Sequence, residues 1–174
     1  MEAPGKFRLG RLDHVHIRVP NREEAVEWYC SRLGFERVAE FEFWATGFEG
    51  GPQQISADGG NTTLAVFEAS AGHPIIAQKT GIAFSVDAEN FALFARRLPG
   101  EFLAPDGHQL HPADIVDLDL CWSIYFCDPW GNQFEINSYD YEEVRTDLIL
   151  ADGITPTRLW PTECYSEFRR AQEQ

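Results

Sequence analysis

The chain repeats itself once, and that repetition limits the folds open to it more than any other feature. Asp13-His14-Val15-His16-Ile17-Arg18-Val19 returns as Thr80-Gly81-Ile82-Ala83-Phe84-Ser85-Val86, with the apolar residues in the same phase. Such alternation marks a strand with one buried face. A helical stripe follows each copy: Ala25, Trp28, Tyr29 and Leu33 after the first, then Phe91, Phe94 and Ala95 after the second. Asn21 with Glu24 predicts the first helix's start, and Gly34 its stop. Strand-like stretches come next at 35–44, 53–57 and 63–68, separated by Gly50-Gly51-Pro52 and Asp58-Gly59-Gly60-Asn61. In the second half a helix at about 89–98 precedes a long loop, 106–120. Strands at 122–127 and 133–139 then pair through Asp128-Pro129-Trp130-Gly131-Asn132. The sequence therefore predicts an α+β chain of two βαβββ modules, 11–70 and 78–140. Their paired curled sheets are expected to surround a cleft, with helices outside. Residues 1–10 are expected to form a mobile N-terminal arm. Residues 141–174 are expected to form a C-terminal helical tail anchored by Trp160.

Charge and composition exclude several classes of partner. A formal net charge of −14 repels phosphate backbones, which argues against nucleic acid. No apolar run approaches the roughly 20 residues of a membrane helix. The opening Met1-Glu2-Ala3-Pro4-Gly5-Lys6 lacks the blocks of a signal peptide, so a cytoplasmic location is expected. Cys30, Cys121, Cys127 and Cys164 form no C-x-x-C pair and are expected to be free or buried thiols.

The polar sides of the strands supply the candidate chemistry. If the apolar sides pack on the helices, His14, His16 and Arg18 line the cleft from the first strand, and Leu64, Val66 and Glu68 from the last strand of that module. Gly81, Ala83 and Ser85, with Gln133, Glu135 and Asn137, do the same in the second module. The shift that takes His14 to Gly81 also takes Glu68 to Glu135. Imidazole and carboxylate together suit a divalent first-row metal such as zinc, nickel, manganese or iron. Any of these residues taken singly is more often hydrogen-bonded or solvated than ligating; the repeat is what sets them apart.

At this point the sequence becomes recognisable. Leu12-Asp13-His14-Val15-His16-Ile17-Arg18-Val19-Pro20, then Trp28-Tyr29 and Leu33-Gly34-Phe35, resembles the opening of vicinal-oxygen-chelate proteins. This superfamily includes glyoxalases, bleomycin-resistance proteins and extradiol dioxygenases. The stretch from Ser123 through Asp128-Pro129-Trp130-Gly131-Asn132 to Ile136 resembles their closing strand pair. The resemblance implies His14 and Glu135 as metal ligands, and places Glu68 where glyoxalase I-like members carry another. Gly81 stands where many metal-dependent members carry a second histidine, a departure that His16, or His108 and His111 of the long loop, would have to make good. Tyr125 falls where extradiol dioxygenases place a tyrosine near the substrate.

Two functions follow from the resemblance. One is a metal-dependent lyase, isomerase or dioxygenase acting on a small oxygenated molecule. In it the metal holds two substrate oxygens, and Glu68 or Glu135 moves a proton. The other is a metal-free protein that sequesters a small molecule or drug, as the bleomycin-binding members do; a homodimer is expected in either case. The acidic charge and the aromatic residues Trp44, Trp122 and Trp130 suit the second reading, and His14 with two glutamates suits the first.

Overall fold

The computed structural model describes residues 10–47, 49–76, 81–159, 161 and 163–172. Trp160 and nearly all of the expected N-terminal arm lie outside them. The chain divides into two compact units, Met1–Ile76 and Ala77–Gln174.

The first unit is built on four strands in the order β1-β4-β3-β2. They are β1 (His14–Val19), β2 (Glu36–Arg37), β3 (Gln53–Ser56) and β4 (Thr63–Glu68). β1 and β4 run parallel, which requires a crossover, and helix α1 (Arg22–Leu33) supplies it. Asn21 caps α1 by accepting from the Glu24 N–H at 3.0 Å, and Gly34 ends it in the left-handed conformation, φ 73°. Ala25, Val26 and Tyr29 of the helix bury against Ile17, Val19, Leu64 and Val66 of the sheet, so the core lies on one face only.

The strand expected at 35–44 is mostly absent. Only Glu36 and Arg37 pair with β3, beyond which the chain turns into a 3-10 turn (Ala39–Phe41) and a short helix, α2 (Glu42–Thr46). Phe41 and Trp44, three residues apart, stack at 4.7 Å between ring centroids, a contact that a strand could not make. Tertiary packing of aromatics here overrides a β-compatible composition.

The second unit repeats the plan with one strand more, in the order β5-β8-β7-β6-β9. β5 (Ile82–Ser85) and β8 (Gln133–Ser138) are parallel, joined through helix α3 (Ala88–Arg96), which Asp87 caps. β7 (Trp122–Cys127) pairs antiparallel with β8, and β6 (Val116–Asp117) with β7. The expected long loop thus contains a short strand. Phe91, Phe94, Phe102, Phe126 and Phe134 fill the core between α3 and the sheet.

The expected helical tail is only partly helical. A turn of helix at Tyr141–Val144 runs into a π-helical stretch, Arg145–Leu150. The chain then returns to add β9 (Thr157–Arg158) parallel to β6. Arg158 ties this strand down by donating to Asp117 and Asp119, and the Tyr141 hydroxyl donates to Asp117 at 2.9 Å. A last helix spans Glu163–Gln172. Two curled sheets, each backed by helices, are the α+β architecture that the repeat predicts. Among the described residues no helix is long and apolar enough to cross a membrane.

Candidate functional site

β1 presents two faces because side chains alternate along a strand. Val15, Ile17 and Val19 turn to the helix, and His14, His16 and Arg18 turn the other way. The two imidazoles stack at 4.9 Å between centroids, and their Nε2 atoms approach to 3.0 Å. His14 Nδ1 meets Asp13 Oδ2 at 2.7 Å. That contact places the His14 proton on Nδ1 and leaves a lone pair on Nε2. Two N–H groups could not meet at 3.0 Å without repulsion, so one ring donates and the other accepts. Partial burial, then the neighbouring His14 and Arg18 charges, push the His16 imidazole below its ordinary value and keep it neutral at pH 7. The hydrogen bond from His14 holds the Asp13 carboxyl below the usual carboxylate range.

Phe67 forms the floor beside this pair. It lies on the same face of β4, opposite Arg18 in register. His16 packs against its ring at 4.9 Å, and the Arg18 guanidinium sits 5.1 Å from its centroid. At the other end of the strand Asp13, His14, Phe41, Trp44, Gln54 and Thr63 line a recess of about 40 Å³. That volume takes a few water-sized atoms, well short of a pocket for a drug-sized ligand.

The register corrects the expected role of Glu68. Leu64 lies beside Val15, and Phe134 lies beside Ile82. The strand-pair counterpart of Glu135 is therefore Ala65, and that of Glu68 is Ser138. Glu68 pairs with Val19, five positions from His14, which is roughly 16 Å along the strand. It also turns to the opposite face, where it accepts the Arg22 backbone N–H at 3.2 Å. His14 and Glu68 are not brought together. Leu64 and Val66, expected on the cleft side, are core residues, and Thr63, Ala65 and Phe67 take the polar face instead.

In the second unit the register sets the expected residues side by side. Ala83, Glu135 and Tyr125 form one row across β5, β8 and β7, and Ser85, Asn137 and Ser123 form the next. Ser123 Oγ donates to Glu135 Oε1 at 2.6 Å. Burial first, then the Glu135 charge, pushes the Tyr125 phenol up, so it stays protonated as a donor. Gln133 lies beside Cys127 at the head of the same face. Gly81 precedes β5; a Cβ there would meet no heavy atom within 4 Å, and its backbone is not left-handed. Neither crowding nor backbone conformation demands glycine at this position.

The loop histidines are engaged elsewhere. His108 Nδ1 bonds Asp106 at 2.6 Å, its Nε2 lies 3.3 Å from Asp114, and His111 caps the Pro112–Asp114 turn. A cavity of about 390 Å³ lies between α3, this turn and the π-helical stretch, and none of the predicted site residues lines it. Sequence reasoning missed Asp13 and Phe67, the residues that orient and floor the histidine pair. An acid directly before a strand histidine was the signal available for Asp13. Among the described residues no group of three or more His, Cys, Asp or Glu side chains is gathered closely enough to hold an ion.

The sequence model of the Glyoxalase/Bleomycin resistance protein/Dioxygenase superfamily matches residues 11–98, about half of the chain. A search of curated proteins finds no match. Among solved structures, the oxidase ChaP-H1 is similar at 20% identity and TM-score 0.56, covering 76% of this chain and 98% of its own. TnmS3, an antibiotic binding protein from Streptomyces sp. CB03234, is similar at 19% identity and TM-score 0.55, covering 77% and 99%. The fosfomycin resistance protein FosX from Listeria monocytogenes, complexed with Mn(II) and sulfate, is similar at 15% identity and TM-score 0.50, covering 80% and 98%. At these identities the likeness bears on fold alone.

Proposed function

The chain belongs to the Glyoxalase/Bleomycin resistance protein/Dioxygenase superfamily, and on that premise we propose that it is a divalent-metal-dependent enzyme acting on a small oxygenated molecule, with His14 and His16 as its imidazole ligands. The observation that carries the reading is the 3.0 Å approach of the two Nε2 atoms. Nitrogens bound to one ion at about 2.0–2.1 Å stand roughly 3 Å apart. Asp13 behind His14 is the carboxylate partner that metal-bound histidines commonly have, fixing tautomer and ring orientation. His16 occupies the role that Gly81 leaves without a side chain.

When bound, the ion would act as a Lewis acid toward two substrate oxygens. The chain's own groups do the rest. His14 and His16 turn their Nε2 atoms toward one another as the two imidazole donors. In the second unit Glu135, set by its Ser123 hydrogen bond, is the carboxylate proposed from the family resemblance as ligand or proton acceptor. Tyr125 beside it is the proposed hydrogen-bond donor. Two imidazoles suit zinc, nickel or iron better than a hard cation. The FosX neighbour was solved with Mn(II), so manganese belongs in the trial set. Cobalt(II) titration tests the reading. Visible d–d bands that appear in the intact chain and vanish in His14→Ala support it, and their absence in the intact chain overturns it.

A metal-free binding protein is the second reading. It is favoured by Ala65 and Gly81, both without ligating atoms, and by the stacked Phe41 and Trp44 beside the Asp13 carboxylate. Under it the His14–His16 contact is a hydrogen bond, and zinc does not displace the shared proton.

A further inference from the structure

We infer that Arg18 is a specificity residue for an oxyanion, so that the substrate of the His14–His16 site is a small acid bearing a carboxylate or phosphate group close to its chelating oxygens. The inference rests on the metal reading above and adds to it the class of molecule bound.

In a chain of net charge −14, carboxylates outnumber basic side chains two to one, 28 against 14. An arginine should easily find one, and the others with ion pairs do. Arg11 meets Asp13, Arg22 and Arg37 meet Glu23, Arg96 meets Asp152, and Arg158 meets Asp117 and Asp119. Among the described residues Arg18 has neither an ion pair nor a hydrogen bond. The residue is half-buried, and its guanidinium lies over the Phe67 ring instead. A guanidinium held over a ring, with its N–H groups free of carboxylates, is open to an anion from solution.

Position makes the missing counter-charge informative. Arg18 and His16 alternate along one strand, so they project from the same face about 7 Å apart. Both pack on the same Phe67 ring, which fixes them relative to each other. The ring covers one side of the guanidinium and leaves its edge N–H groups for a planar or tetrahedral oxyanion, which arginine binds through paired hydrogen bonds. A cation at the histidine pair and a guanidinium one step along the strand suit a ligand with two oxygen-bearing ends, one of them anionic. No acidic residue of β1 or of the facing positions of β4 competes for that charge: those positions are Thr63, Ala65 and Phe67.

The test compares succinate with succinamate, which differ by one carboxylate. Their binding to the zinc-loaded full chain is measured by calorimetry, with zinc content determined separately. Succinate is expected to bind about tenfold more tightly than succinamate, a preference of the size that one charge-assisted contact gives. Arg18→Gln should abolish the preference with zinc content unchanged, and Arg18→Lys should keep part of it. An equal preference in Arg18→Gln, or none in the intact chain, overturns the inference. Should Arg18→Gln not fold, the Arg18 Nε–H resonance of the intact chain gives the answer: it shifts with succinate and not with succinamate, or the inference fails. The metal reading is judged apart from this. If zinc does not bind, the same comparison without zinc still shows whether Arg18 selects the second carboxylate.

Discussion

His14 and His16 turn their Nε2 atoms to within 3.0 Å of each other from alternate positions of a single strand. Side chains two apart on a strand ordinarily project in parallel, about 7 Å between their Cα atoms. Convergence of the ring tips to that distance is hydrogen-bond geometry, with one ring nitrogen facing the other. The proposed chemistry grows from that pair.

Glu135 and Tyr125 lie side by side on neighbouring strands, and the carboxylate charge helps raise the phenol above its ordinary value. Glu135→Gln should lower the Tyr125 pKa, and Ser123→Ala should leave the carboxylate without its 2.6 Å donor. Ultraviolet titration of tyrosinate formation checks the first. A Tyr125 titration unchanged in Glu135→Gln would mean that the two groups do not interact.

His108 sits between Asp106 and Asp114, and hydrogen bonds to both raise its pKa above 6.5. A group whose folded pKa is raised contributes its stability fully below the unfolded value, and that contribution is lost as pH rises through the folded value. Asp114→Asn should move the His108 titration down, as read by NMR of the ring protons, and should flatten the decline in stability on the alkaline side of pH 6.5. The imidazole is solvent-exposed, so the effect on the whole fold is expected to be small.

Arg158 compensates the buried Asp117 carboxylate and fastens β9 to the second sheet. Arg158→Met leaves that carboxylate without a counter-charge, held only by the Tyr141 hydroxyl and the Asp119 backbone N–H. A loss of about 2–3 kcal/mol is expected, below the range for a fully buried pair because Arg158 is partly exposed. Chemical denaturation measures it. The Tyr141 phenol, pushed up to about 12 by burial and by Asp117, should titrate lower in Asp117→Asn.

Gly81 is open on every side that a Cβ would approach. Gly81→Ala should change stability by no more than about 0.5 kcal/mol. A much larger loss in thermal denaturation would show that glycine is required there for reasons that the backbone and its surroundings do not give.

The two βαβββ modules were legible because local signals agreed with one another. Strand alternation in β1 and β5, the Asn21 cap, the Gly34 stop and the Asp128–Asn132 turn each point to the same plan. Reading failed where a stretch carried no phase. Thr63-Leu64-Ala65-Val66-Phe67-Glu68 is apolar at consecutive positions, so alternation cannot say which side faces the helix. Taking Glu68 as the guide chose the wrong face. The repeat shift misled for a related reason, because loops of unequal length separate the first and last strands of the modules. Phe35–Trp44 has strand composition, yet only Glu36 and Arg37 pair, and the stacked Phe41 and Trp44 belong to helical turns. The pairing of Thr157–Arg158 with Val116–Asp117 is long-range and left no local trace. At the site, His14 and His16 were visible as a same-face pair, but their convergence depends on Asp13 and Phe67, whose parts only packing reveals.

Zinc content is the most direct measure of the central claim. The purified chain is loaded with zinc, dialysed free of excess, and analysed for metal beside His14→Ala and His16→Ala. The account predicts close to one zinc per chain, lost in both variants, with thermal unfolding of the metal-free proteins little changed. A chain that retains no zinc, or variants that retain as much as the intact protein, would contradict it.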